Sequence, residues 1–170
     1  MPGSLNRILP DPISEETERI LVELLKRKIA GSAWIAVELL HAMEARFGPA
    51  AREVVRDMAQ KPTYSPRLNV GEPAQDLRQF CAALDGACAG SHRWQRVTDT
   101  PDRVGYHFTR CLWAEVFREL GEPDLGFIMC AGDEPAVRAY NPALAFKRTK
   151  TLMEGDDLCD HVFYVRSEQP

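Results

Sequence analysis

The spacing of apolar residues changes once along this chain, near residue 90. Before that point apolar side chains recur every three or four positions, as on one face of a helix. Ile20, Leu21, Leu24, Leu25 and Ile29 form a first such stripe. It follows Ser14, whose hydroxyl suits a helix N-cap, and Gly31-Ser32 is expected to end the helix. A second helix is predicted over 33–46, with Trp34, Val37, Leu40 and Phe47 on one side. Gly48-Pro49 is a stop-start pair that opens a third helix over 50–59. Residues 62–71 read as a loop, and 73–89 as a fourth helix with Leu77, Phe80, Cys81, Leu84 and Cys88 as its stripe.

Beyond residue 90 the period drops to two. Residues 92–98 and 103–110 read as strands joined by a turn at 99–102. In the second strand Val104, Tyr106 and Phe108 face one way, and His107, Thr109 and Cys111 the other. A helix is predicted over 112–120, closed by Gly121, then a helical stretch over 124–140 interrupted near 132–135. Residues 144–153 form a third expected strand, 155–157 a turn and 161–167 a fourth strand. Helices first and an antiparallel sheet of about four strands afterwards imply a single α+β domain. Residues 1–13 are expected as a loose leader ahead of that domain at 14–170, helical over 14–90 and sheet plus helices over 91–170.

Composition narrows the function. A net charge of −4 leaves no basic footprint for nucleic acid. No apolar run is long enough for a bilayer, since Glu38 and His41 interrupt 34–43. The proline-rich start offers no signal-peptide core, so the cytoplasm is the default location. Five cysteines are then expected as thiols, and the absence of a CxxC pair disfavours a zinc ribbon. Cys111, Cys130, Cys159 and His161 come from separate segments without a chelating pair, so neither a metal nor a cofactor is expected.

Several motifs are in order between Arg110 and Val165. They are Cys111-Leu-Trp113-Ala-Glu-Val-Phe117 running on to Gly121, Cys130-Ala-Gly-Asp133, Tyr140-Asn141-Pro142, Arg148-Thr149-Lys-Thr151-Leu152-Met-Glu-Gly155, and Cys159-Asp160-His161. Together they resemble the L-2-amino-thiazoline-4-carboxylic acid hydrolase family. The resemblance implies hydrolytic opening of a thiazoline ring to an N-carbamoyl-cysteine. The closing pattern, Gly155 followed by Cys159, is also similar to the end of 4-vinyl reductase type ligand-binding domains, which are sensors or binding modules.

Opening such a ring needs a nucleophile, a base to activate it and an acid for the departing atom. Cys130 and Asp133 share a helix face if the helix continues. Asp133 suits a base or a helix cap, and Cys130 a nucleophile or a buried thiol. Cys111 stands where exposed N–H groups at a helix start would favour its thiolate. Cys159 and His161 alternate onto one strand face, and so do Arg148 and Lys150. Arg148 suits a substrate carboxylate. His107 and Thr109 are candidates for the wall beside Cys111, and Trp113 for substrate stacking or core. The readings are a hydrolase of a small carboxylated heterocycle, a non-catalytic small-ligand module, or a structural partner, with a homo-oligomer possible through the helical half.

Overall fold

The computed structural model describes residues 5–61 and 76–166. The loop expected at 62–71 and the start of the fourth helix at 73–75 lie outside the described residues, as do residues 1–4 and 167–170. The elements are α1 (Glu15–Phe47), α2 (Ala50–Ala59), α3 (Leu77–Cys88), β1 (His92–Asp99), β2 (Arg103–Cys111), α4 (Leu112–Glu119), α5 (Pro123–Cys130), α6 (Asp133–Tyr140), β3 (Leu144–Lys147) and β4 (Cys159–Val165). The fold is α+β, and its four strands form one antiparallel sheet in the order β1-β2-β4-β3.

Several predicted boundaries move; the fourth strand, expected over 161–167, begins at Cys159 and ends at Val165, paired to β2 from Cys159 onward. Gly31-Ser32 does not break α1, which runs unbroken to Phe47. A glycine inside a helix costs about 1 kcal/mol. Against that, Ile29, Ala33, Val37 and Leu40 continue one buried stripe across the site, and Ser32 Oγ donates back to Lys28 O. Trp34 and Phe47, expected on that stripe, are exposed. The third strand stops at Lys147 rather than at 153. There Asp160 accepts from the N–H groups of Thr149 (2.7 Å) and Lys150 (2.6 Å), removing donors that a strand would spend on its ladder. A 3-10 turn, Leu152–Glu154, follows, and Gly155 closes it at φ 98°. Residues 5–13, expected as a loose leader, are tied down: Leu5 N donates to Glu18 and the Arg7 guanidinium lies over Trp94.

The interior is divided in two. One core lies between the sheet and the helices α3 and α6, built on Phe80, Tyr106, Phe108, Val137, Leu144 and Phe163. The other joins α1, α2, α4 and α5 through Val37, Leu40, Leu112, Val116, Phe117 and Leu125. Leu152 packs against both, so the 3-10 turn is the seam between them. Arg52 ties the helical side together, bonding Glu44 at 2.8 Å and Glu122 at 2.9 Å.

That seam depends on Gly126. A Cβ there would sit 2.4 Å from Met153 Sδ and 2.9 Å from Phe117 Cδ2. The turn therefore rests directly on the α5 backbone. Gly126→Ala is expected to destabilise the protein by about 1–3 kcal/mol through overpacking. Urea unfolding measures it, and pairing the change with Met153→Ala should recover part of the loss.

Candidate functional site

β4 sets the geometry. Phe108 pairs with Cys159, Tyr106 with His161 and Val104 with Phe163, and directly paired residues share a face. Cys159 and His161 therefore look into the core side of the sheet. His107 pairs with Asp160 on the opposite face, and Thr109 is exposed there. His107 and Thr109 thus do not join the wall expected of them. Cys111 parts company with them because the chain turns into α4 at that residue.

Arg148 enters the seam from the connector after β3. Its Nη1 donates to Asp133 Oδ2 at 2.9 Å and to Cys130 O at 3.5 Å. The guanidinium lies between the rings of Phe127 (5.9 Å) and Phe146 (5.8 Å). Only 12% of the Arg148 side chain meets solvent. Its Nε and Nη2 have no acceptor among the described residues, which leaves one edge of the fork open. Lys150 points away and pairs with Asp157 at 3.0 Å, so the two cations do not share a face as expected. Asp133 is the first residue of α6 and Cys130 the last of α5, so the interruption between the helices delivers both to Arg148.

Cys111, Cys130, Cys159 and Asp133 lie within electrostatic reach of one another, and Arg148 within reach of Cys130, Cys159 and Asp133. Burial pushes the Cys111 thiol up to about 11, outweighing the amides of Ala114 and Trp113 that favour its thiolate. The lowered pKa expected at this helix start is therefore reversed. Cys130 is pushed further up, by burial and then by the Asp133 charge, with Arg148 opposing. Cys159 is raised as well, chiefly by burial, although Leu152 N donates to its sulfur at 3.2 Å. At neutral pH all three are thiols. Among the described residues no three His, Cys, Asp or Glu side chains are placed to hold a metal ion.

Asp133 is raised to about 6 by the dense packing around it, with Arg148 pulling the other way. Its outer edge still meets solvent, 42% of the side chain being exposed. An open cleft along α6, lined by Gln60, Glu134, Pro135, Arg138 and Ala139, begins one residue past it. His161 sits among Phe108 (4.8 Å), Phe146 (5.1 Å) and Phe163 (6.1 Å). Burial first, then the charges of Arg148 and His92, lower it to about 3. Its Nε2 is buried with no hydrogen-bond partner among the described residues. Trp113 stacks on Phe117, rings 6.4 Å apart, against the helical core.

Sequence reasoning overlooked Asp160 and Thr151. Asp160 holds the Thr149–Lys150 backbone and so aims Arg148. Thr151 is buried, donates its N–H to Asp156 and caps the 3-10 turn. The available signal was a cluster of acids, Asp156, Asp157 and Asp160, beside a Thr-Lys-Thr run, which is local side-chain-to-backbone turn chemistry.

The sequence pattern of the L-2-amino-thiazoline-4-carboxylic acid hydrolase family matches residues 26–163, and the chain belongs to that family. The match reaches well before Arg110, into α1. No curated protein matches the chain. Among solved structures it is similar to the phenol-responsive sensory domain of the transcription activator PoxR with phenol. That similarity has a TM-score of 0.42 and 11% identity, covering 75% of this chain and 71% of the other. No helix among the described residues is long and apolar enough to cross a membrane.

The neutral His161 makes folding sensitive to acid. Its pKa is about 3 in the fold and 6.5 ordinarily, so its contribution is complete above pH 6.5 and is lost as pH falls toward 3. Asp133, raised from 3.8 to about 6, acts oppositely, contributing below pH 3.8 and losing that contribution as pH rises through 6. The difference between wild type and His161→Phe isolates the histidine. Wild type is expected to lose about 2 kcal/mol more than the variant between pH 7 and pH 5, read from urea midpoints.

Proposed function

We propose that this family member hydrolyses a small cyclic amidine bearing a carboxylate, of the 2-aminothiazoline-4-carboxylate type, at the Arg148–Asp133 seam. The observation that carries the reading is the 2.9 Å bond from Arg148 Nη1 to Asp133 Oδ2, which leaves Nε and Nη2 of the guanidinium without an acceptor among the described residues; desolvation raises that carboxyl to about 6. A general base works best when its pKa lies near the working pH. A planar guanidinium edge suits a carboxylate.

In this reading water is the nucleophile, because the neighbouring thiols are held protonated. Asp133 takes a proton from water as the oxygen bonds to the ring carbon between nitrogen and sulfur, and that proton passes to the ring nitrogen. The hydroxyl proton then leaves through Asp133 as the carbon–oxygen double bond forms and the carbon–sulfur bond breaks. Sulfur takes the electron pair and that proton, giving a carbamoyl group and a free thiol. The open edge of Arg148 holds the ring carboxylate, while Cys111, Cys130 and Cys159 give the ring soft, uncharged neighbours. His161 Nε2 supplies a further polar contact.

A second reading, a module that holds such a ligand without turnover, is favoured by one observation: desolvation holds all three thiols neutral, with Cys159 buried and Cys111 and Cys130 partly so.

Mixing the purified protein with 2-aminothiazoline-4-carboxylate and reading the released thiol separates the two. Turnover is expected to rise with pH through about 6, as Asp133 loses its proton. Asp133→Asn should lower kcat on the order of 100-fold or more and remove that limb, while the ligand still shifts the melting temperature. A melting shift without thiol release from folded wild type would leave the binding module. Neither signal would sink both.

A further inference from the structure

α1 is apolar on two opposite faces. One face, Ile29, Ala33, Val37 and Leu40, is buried in the helical core. The other carries Ile20, Leu24, Ile35 and Leu39, each about half exposed or more, with Trp34 on its flank. Gly31 and Ala42 lie along the centre of this outer face, and nothing stands within 4 Å of a Cβ built on Gly31. A helix that is apolar all round is ordinarily buried all round. From Ile20 to Ala42 the strip runs about 33 Å and covers on the order of 400 Å², the size at which an exposed patch on a monomer is often functional.

We infer that this outer face is the contact between two copies of the chain, with the α1 helices running antiparallel about a two-fold axis near residue 33. In that register Leu24 of one copy lies over Ala42 of the other, and Ile35 over the space above Gly31. Large residues meet small ones in both directions, as an isologous contact requires. Arg27 and Glu38 fall on the same flank and come opposite each other twice. Both are exposed, and among the described residues Arg27 pairs with Glu23 of its own helix alone, at 3.2 Å. Charges of mixed sign, Glu23, Arg27 and Glu38 along one edge and Lys28 between Ile35 and Leu39, suit a second copy better than an anionic lipid surface. The strip with its charged rim falls at the small end of specific interfaces, so dissociation in the micromolar range is expected.

Sedimentation velocity of the full chain over a concentration series tests this. Wild type should pass from monomer to dimer. Arg27→Glu and Glu38→Arg should each weaken the dimer about 10-fold, and the two together should restore it. Ile35→Glu should leave only monomer. All three sites are exposed, and an unchanged far-ultraviolet circular dichroism spectrum verifies the fold. A wild type that stays monomeric, a dimer indifferent to Ile35→Glu, or a charge swap that fails to restore what the single changes lose would each overturn the inference.

Discussion

The contact between Met153 and Gly126 holds the site together. Two cores meet in this fold, one sheet-based and one helical, and the 3-10 turn is where they touch. Without a side chain at Gly126 the turn comes down onto α5. Cys130 ends that same helix, and Arg148 leads into that same turn. The close approach thus fixes the distance between the cation and the end of α5. Two further bonds hold the turn from outside, from Arg118 to Leu152 O and from Thr151 N to Asp156. The site is therefore a product of packing between layers, with no single element supplying it.

Electrostatics at the seam follow from one cation serving many neighbours. Arg148 stabilises the charged form of Asp133 and opposes the upward shifts of Cys130 and Cys159. It also discourages a proton on His161. Burial acts on all of them and prevails over the single guanidinium at the thiols and the carboxyl. The result is a cluster of neutral thiols and a neutral imidazole around Arg148, in which Asp133 is the group whose charge changes near neutrality. Such a division, one titrating group among neutral ones, is what a proton-transfer site requires. A site built on a thiolate would need a cation closer to the sulfur or a sulfur closer to solvent.

Most of this fold could be read from period alone. The change from 3.6 to two near residue 90 marks where α3 gives way to β1, and alternation put Val104, Tyr106 and Phe108 on one face, which the structure buries as the core face. The failures have physical causes. Gly31 looked like a terminator because a local propensity was weighed without the buried stripe that crosses it. Residues 148–151 looked like strand because alternation of Arg148 and Lys150 mimics one, whereas Asp160, remote in the ladder, withdraws the backbone donors. Cys111 looked activated because the helix start is visible in sequence and the burial that cancels it is not. Of the candidate residues, Asp133, Cys130, Cys111, Cys159, Arg148 and His161 could be grouped by motif order. His107 and Thr109 were misplaced because a strand face was assumed to continue into the turn that begins α4.

The apolar outer face of α1 explains why its pattern was hard to read. A helix with one buried face shows a clear stripe, and one with two shows apolar residues at almost every offset. Trp34 and Phe47 were therefore placed on one side with Val37 and Leu40, although only the last two are buried. The two faces are linked mechanically, because α1 packs on α4 through its inner face and α4 begins at Cys111. Lys26 of α1 reaches Glu115 (3.2 Å) and Glu119 (2.6 Å) of α4, which adds an ionic contact to that packing. The thiol side of the seam thus rests on α1 through α4, whereas Asp133 belongs to α6 and Arg148 to the connector that Asp160 holds.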